Sequence, residues 1–318
     1  MYTQKYVTAE FVTPKHPDKQ CDIIADTLLD AFYAEDKESR VAIEVMGGHD
    51  LFTINGEVTS TALVDVESMV RDLVGENSRV IVNLVKQSPE IARGVDTGGA
   101  GDQGIMNGYA TRSTMSLLPY AYDRARALCM HLYQFYPYDG KVQVTVDGTV
   151  VKTVVASFQH APHDELLAHV KDFIQAEEYI INYTGDWDIG GFDADTGLSG
   201  RKIVIDNYGP TVPVGGGSFS GKDYTKVDRS GAYMARKIAV DYLRKYESAE
   251  EVFVQIAYAI GKAEPVQAVA YVDGVPELIT GYDLSPRGIR EALALDEITY
   301  AETATWGHFG RGFAWDKS

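Results

Sequence analysis

The chain has 318 residues, 45% hydrophobic and 24% charged, an ordinary globular composition long enough to bury one large core or a few small ones. Its 46 acidic residues outweigh 29 basic ones, and a net charge of −17 argues against nucleic acid and anionic membrane as partners. No apolar run approaches the roughly 18 residues that span a bilayer, no signal-peptide core follows Met1, and two cysteines are too few for a disulfide framework or a zinc cluster, so a reduced, cytoplasmic setting is expected.

Strand-like and helix-like segments alternate along the chain without a low-complexity linker. A first helix is expected over 17–33, opened by Pro17, with Ile24, Leu28, Ala31 and Phe32 on one face. Strands follow at 40–45 and 51–58, a helix at 62–74 and a strand at 79–85. Another helix follows Pro119. Segments 141–146 and 149–157 flank Asp147-Gly148, a strong hairpin signal. Next come a helix at 164–176, strands at 179–183 and 202–206, and a long helix after Asp228. Strands at 252–260 and 266–272 precede a short helix capped by Ser285. Hairpins mixed with helices predict an α+β fold with sheets covered on one face. Three comparable blocks of strands and helix are visible, without a repeat in sequence.

Five segments concentrate Gly, Lys, Arg, Asp and His. His16-Pro17-Asp18-Lys19 stands at a helix N-terminus, where free N–H groups attract anions and Asp18 could hold a metal bridging to phosphate. The plainer reading is a capping His16 and a solvated Lys19. Gly99-Ala100-Gly101-Asp102-Gln103-Gly104 is either a tight turn or a close backbone approach to a ligand, and with 94–98 before it the stretch reads as a loop able to act as a lid. Asp139-Gly140-Lys141 by itself is a turn. Arg201-Lys202 after Asp195-Thr196-Gly197-Leu198-Ser199-Gly200 is placed to meet phosphate oxygens, or is a plain charge pair at a strand start. Gly216 to Lys222 has Walker A spacing, but Asp223 follows where Ser or Thr is required and no strand leads directly in. A P-loop is therefore rejected, although glycine N–H groups and a lysine can still cradle phosphates.

Taken together and in order, HPDK, GAGDQG, GLSGRK, GGGSFSGKD with TKVDRS, AYAIGKAEP and GHFGR resemble the S-adenosylmethionine synthetase family across nearly the whole chain. The resemblance implies three structurally similar sheet-and-helix units with pseudo-threefold symmetry, interleaved within one compact unit over approximate blocks 1–110, 111–200 and 201–318. It implies synthesis of S-adenosylmethionine: the sulfur of L-methionine attacks C5′ of ATP, tripolyphosphate leaves, and the same site hydrolyses it to diphosphate and phosphate. It further implies two Mg²⁺ per site, K⁺, and a homodimer with shared active sites, sometimes paired into a homotetramer. A catalytically weak member that serves as a nucleotide-binding or regulatory subunit is the alternative.

Roles carried over from the resemblance fall on matching positions. His16 lies beside C5′ and the leaving oxygen; Lys141, Arg201, Lys202, Lys222 and Lys226 hold polyphosphate; Lys19, Asp139, Trp187, Asp195 and Ser218 complete the ATP site. Glu57, Gln87, Asp102, Asp195 and Lys226 serve methionine. Asp18 and Asp228 are Mg²⁺ ligands and Glu44 the K⁺ ligand. The set suits the chemistry: sulfur needs no activating base, whereas charge building on the departing tripolyphosphate needs fixed cations. Three departures stand out. Material is missing after Asp72, after His160 and around Pro276; the loop 88–100 is short; and Gly185-Asp186-Trp187 replaces the family's usual Gly-Arg-Phe, which reverses a charge.

Overall fold

Pro17 supplies a pre-set φ for the first helical turn, so helix α1 (Pro17–Glu35) opens soon after strand β1 (Tyr6–Val12) ends. The computed structural model describes residues 5–88 and 98–317. Strands β2 (Arg40–Gly48) and β3 (Leu51–Thr59) form a hairpin turned at His49-Asp50, and helix α2 (Val66–Val74) leads to β4 (Arg79–Val85), which runs parallel to β3. After β5 (Gly104–Thr111) the pattern returns. Helix α3 (Tyr120–Tyr133) precedes the hairpin β6 (Gly140–Asp147) and β7 (Val150–Phe158), and helix α4 (His163–Phe173) leads to β8 (Glu178–Ile181), parallel to β7. The short strand β9 (Gly197–Leu198) and helix α5 (Ile203–Asp206) follow. Helix α6 (Val227–Lys245) begins the third round, with β10 (Glu251–Tyr258), β11 (Gln267–Val272) and β12 (Val275–Leu278). Helices α7 (Pro286–Leu293) and α8 (Tyr300–Thr305) close the chain.

Among the described residues the strands form three four-stranded sheets, ordered β1-β6-β7-β8, β9-β2-β3-β4 and β5-β10-β11-β12. Each sheet borrows its first strand from elsewhere in the chain, and that strand pairs antiparallel with the hairpin. A long helix packs on each sheet: α3 on β1 and β6, α1 on β2 and β9, α6 on β5 and β10. The fold is thus α+β with three similar sheet-and-helix units. Apolar residues from α3, α6 and their two sheets make one large core; those of α1, α2 and the β2-β3-β4 sheet make a second.

The segment 202–206 is a turn and the short helix α5, not the expected strand. Three apolar residues, Ile203 to Ile205, are too short a run for periodicity to choose between the two. The second helix begins at Val66 rather than at 62, because Asp65 caps it by accepting the Ser68 N–H at 3.1 Å. Strands β1, β5, β9 and β12 and helix α8 were not anticipated. Glycine hid β5, and packing explains it: a Cβ at Gly108 would lie 2.1 Å from backbone atoms of Ala235, so only glycine lets α6 lie against that strand. The side chain of Asn182 is spent internally, since its buried amide bonds Phe158 and Ala161.

Candidate active site

His16 is the N-cap of α1, and its Nδ1 accepts the Asp18 N–H at 3.2 Å. The proton of a neutral imidazole there is on Nε2, which makes that nitrogen a donor. The ring stays neutral at ordinary pH: burial, then the Lys202 charge and further on Lys141, pull its pKa down to about 4 against the opposing carboxylates of Asp18 and Asp195. Asp18 is buried at the same helix end. Its Oδ1 accepts the Leu198 N–H at 2.9 Å, its Oδ2 takes Lys202 Nζ at 2.5 Å, and Arg201 Nε lies 3.7 Å away. Burial alone would raise this carboxyl, but Lys202, the Leu198 N–H and Arg201 hold it below the usual range. The sequence folds this way because Gly197 lets β9 meet the helix: a Cβ there would stand 2.2 Å from the Pro17 carbonyl oxygen.

The start of β6 supplies Asp139 and Lys141. Asp139 accepts the Gly191 N–H at 3.0 Å, and burial raises its carboxyl. Lys141 reaches across to Glu10 of β1 at 2.8 Å. Trp187 is half-buried, its Nε1–H turned to Asn182 at 3.3 Å and its ring beside Gly190. That puts the indole next to the 190–191 turn that Asp139 holds. Asp186, the reversed charge, accepts the His163 N–H at 3.0 Å and so satisfies a free donor at the start of α4. Asp195 is exposed, its Oδ1 taking the Thr196 N–H at 2.8 Å.

A second group adjoins the first. Ser199 donates to Glu44 at 2.5 Å, and the Glu44 carboxyl is raised chiefly by desolvation, with the Lys222 charge opposing. Lys222 Nζ lies 2.7 Å from Asp228 Oδ2. Gly200 backs onto Ser218 so closely that a Cβ would meet it at 2.7 Å, and Gly217 backs onto Asp228 in the same way at 2.2 Å. Glu57, opposite Ala42 in the β2–β3 ladder, is on the same sheet as Glu44.

Lys19 does not reach this site and is withdrawn from the ATP-binding set. Its side chain is 2% exposed, and its ammonium sits between Asp22 at 3.0 Å and Asp206 at 2.6 Å. A buried cation of that kind is structural, not the solvated or ligand-facing lysine that the sequence suggested. Lys226 bonds Asp223 at 2.5 Å, and Asp223 in turn holds the Val41 N–H. Asp102 is exposed and bonds the Gln103 N–H; Gln87 buries an Oε1 without a partner among the described residues. Most of the loop at 88–100, and with it the expected lid, lies outside the described residues; its end is pinned by Ala100 N–H to the Lys262 carbonyl. Sequence reasoning missed Asp22, Asp26 and Arg229, which lie fully buried behind the site. The spacing of four between Asp18, Asp22 and Asp26 was the available signal.

Family profiles described as S-adenosylmethionine synthetase N-terminal, central and C-terminal domains match residues 4–89, 97–187 and 189–317. The chain belongs to the S-adenosylmethionine synthetase family. It is 40% identical to an S-adenosylmethionine synthase of Thermus thermophilus, over all of this chain and 97% of that one. It is 38% identical to S-adenosylmethionine synthase 2 of Rhodospirillum rubrum, over 98% and 95%. A solved structure of an unusual S-adenosylmethionine synthetase from Campylobacter jejuni superposes with a TM-score of 0.87 at 31% identity, covering 99% of this chain and 97% of that one. The Thermus match runs over 384 positions against 318 residues here, so this synthetase is shortened by internal gaps. As a member of this family it is a methionine adenosyltransferase, making S-adenosylmethionine from ATP and methionine.

Proposed function

We propose that adenosyl transfer takes place at the N-terminus of α1, between the 139–141 strand start and the 195–202 loop. The observation that carries this reading is convergence at one helix end: Asp18, two residues from the capping His16, takes Lys202 at 2.5 Å with Arg201 3.7 Å away. Methionine sulfur attacks C5′ of ATP, the C5′–O bond breaks, and its electron pair leaves on tripolyphosphate. Neutral His16 donates its Nε2–H toward the leaving oxygen. Lys141, Arg201, Lys202 and Lys222 take up the negative charge as it forms. The retained tripolyphosphate is then hydrolysed to diphosphate and phosphate. Asp139, Trp187, Asp195 and Ser218 hold the nucleoside side; Glu57, Gln87, Asp102, Asp195 and Lys226 serve methionine.

The donor set fits magnesium. Asp18 and Asp228 each offer a carboxylate that now holds an ammonium, from Lys202 and Lys222. Mg²⁺ is commonly bound by one or two carboxylates plus substrate phosphates, and bound here it would neutralise phosphate charge. Among the described residues no group of three or more His, Cys, Asp or Glu could hold a metal alone. Glu44 with the adjacent Ser199 hydroxyl offers oxygen ligands suited to K⁺. No described helix is long and apolar enough to cross a membrane, and we assign the enzyme to the cytoplasm. The working form is a homodimer with shared sites, and it can pair further into a tetramer.

The deciding experiment incubates the purified protein with ATP, methionine and Mg²⁺, and follows the sulfonium product by mass and the phosphates by phosphorus NMR. The reading expects sulfonium, diphosphate and phosphate in equal amounts, with loss of the sulfonium signal in Lys202→Ala. Accumulating free tripolyphosphate would remove the hydrolytic stage, and full activity in Lys202→Ala would move the chemistry away from this end of α1.

A further inference from the structure

Four aspartates stand four residues apart on α1: Asp18, Asp22, Asp26 and Asp30. At that spacing they share one face and repeat about every 6 Å along the axis. Each carboxylate accepts backbone N–H groups from another segment. Asp18 takes Leu198 at 2.9 Å, Asp22 takes Gly200 at 2.8 Å and Asp26 takes Gly221 at 2.8 Å. Asp30 takes Tyr300 at 2.8 Å and Ala301 at 2.9 Å, at the start of α8.

The middle two have something in common. The residue each one holds stands immediately before a cation of the site: Gly200 before Arg201-Lys202, and Gly221 before Lys222. Both glycines have positive φ, +75° and +79°, so the anchored N–H fixes a sharp backbone reversal one residue ahead of the working charge. Asp22 and Asp26 are both 0% exposed, so neither can touch a ligand in the cleft. Their charges are balanced from behind, Asp22 by Lys19 at 3.0 Å and Asp26 by a two-pronged contact with Arg229 at 2.6 and 2.8 Å. Buried ion pairs are a poor route to stability, since apolar residues of similar volume often serve as well. A charge-assisted bond to a loop N–H is a reason to keep them.

We propose that Asp22 and Asp26 are positioning residues for adenosyl transfer, with α1 acting as a ruler that sets the two polyphosphate-holding loops of a chain one helical turn apart, whether they meet one polyphosphate or the two of a shared-site dimer. The inference rests on the reading that Arg201, Lys202 and Lys222 hold polyphosphate.

The test separates the N–H anchor from charge and from packing. Removing Asp22 leaves Lys19 paired with Asp206, so Asp22→Asn and Asp22→Leu can be compared directly. At position 26, Asp26→Asn and Asp26→Leu are compared in an Arg229→Met background, which strands no charge. In each comparison the two side chains are similar in size and uncharged, but only Asn can accept the glycine N–H. The Leu variants should raise the Kd for inorganic tripolyphosphate and the KM for ATP by about tenfold or more over the Asn variants and lower kcat, with the methionine KM little changed. Equal tripolyphosphate affinity in folded Asn and Leu variants overturns the proposal. Lys202→Ala and Lys222→Ala are the controls. If they leave tripolyphosphate affinity intact, the polyphosphate reading itself fails; if they weaken it while the Leu variants do not, only the ruler fails. Amide exchange in the unsubstituted enzyme gives a second measurement that needs no variant. The Gly200 and Gly221 amides should exchange far more slowly than those of Gly216 and Gly217, and comparable rates would overturn the anchoring.

Discussion

Lys141 separates catalytic from structural importance because its ion pair is with Glu10, and both side chains are more than one-third exposed. Surface pairs of this kind contribute little to stability. Lys141→Ala should therefore melt like the parent while losing roughly 2.7–4 kcal/mol of barrier lowering, the scale of one removed oxyanion-stabilising group. Rate of sulfonium formation and melting temperature, measured on the same sample, check this; an unchanged rate removes Lys141 from the role. His16 offers a pH test. Its pKa of about 4 in the folded chain lies below the ordinary 6.5, so between those values the unfolded chain binds more protons. Its contribution to stability is complete above 6.5 and is lost as pH falls through that window. Proton NMR should find the ring neutral at pH 6. Because Lys202 is the largest charge lowering this pKa, Lys202→Met should move it upward; a ring that titrates near 6.5 in the parent would contradict the geometry around α1.

Among the elements, β9 and α1 meet through the hydrogen of Gly197. A methyl group there would fall on the Pro17 carbonyl and the Asp18 N–H, both rigid backbone. Gly197→Ala should cost about 1–3 kcal/mol, the scale of overpacking, and should weaken ATP binding by shifting Asp18 and His16 together. Calorimetry and nucleotide titration measure the two effects; normal stability with normal binding would mean that the strand yields without disturbing the helix. The same junction shows what the sequence made legible. The Pro17 start, the Asp147-Gly148 turn and the Ser285 cap act through neighbouring residues, and all were readable. Strand β5 was not, because its glycines serve α6, which lies more than a hundred residues downstream. The co-ordered motifs singled out His16, Asp18, Arg201 and Lys202, which the fold brings together at one end of α1, whereas Lys19 looks solvated until Asp206, distant in sequence, is brought beside it. Asp22 and Asp26 stayed hidden for a similar reason, since their partners are backbone groups of remote loops.

On the scale of the whole molecule, one sheet is half covered. The β2-β3-β4 sheet packs α1 and α2 on one face, while Met46, Ile81 and Val85, all at least 40% exposed, look out from the other among Glu44, Asn55 and Glu57. An open apolar sheet face is a common mark of association. Glu57 and Gln87, assigned to methionine, belong to this sheet and to the segment just after it, so association through this face would bring one chain's methionine groups toward its partner's nucleotide groups. Met46→Glu with Val85→Arg should then yield a folded monomer without synthesis, read by light scattering and product formation. Charge in place of these two side chains leaves both cores untouched. The shared site has a sharper check in complementation. Asp18→Ala and Lys222→Ala chains, each inactive alone, should regain activity on mixing if the two residues enter one site from opposite subunits, because one of the two sites in the mixed dimer is then intact. No recovery on mixing would assign both residues to the same chain's site, and a fully active double-charge monomer would end the shared-site reading altogether.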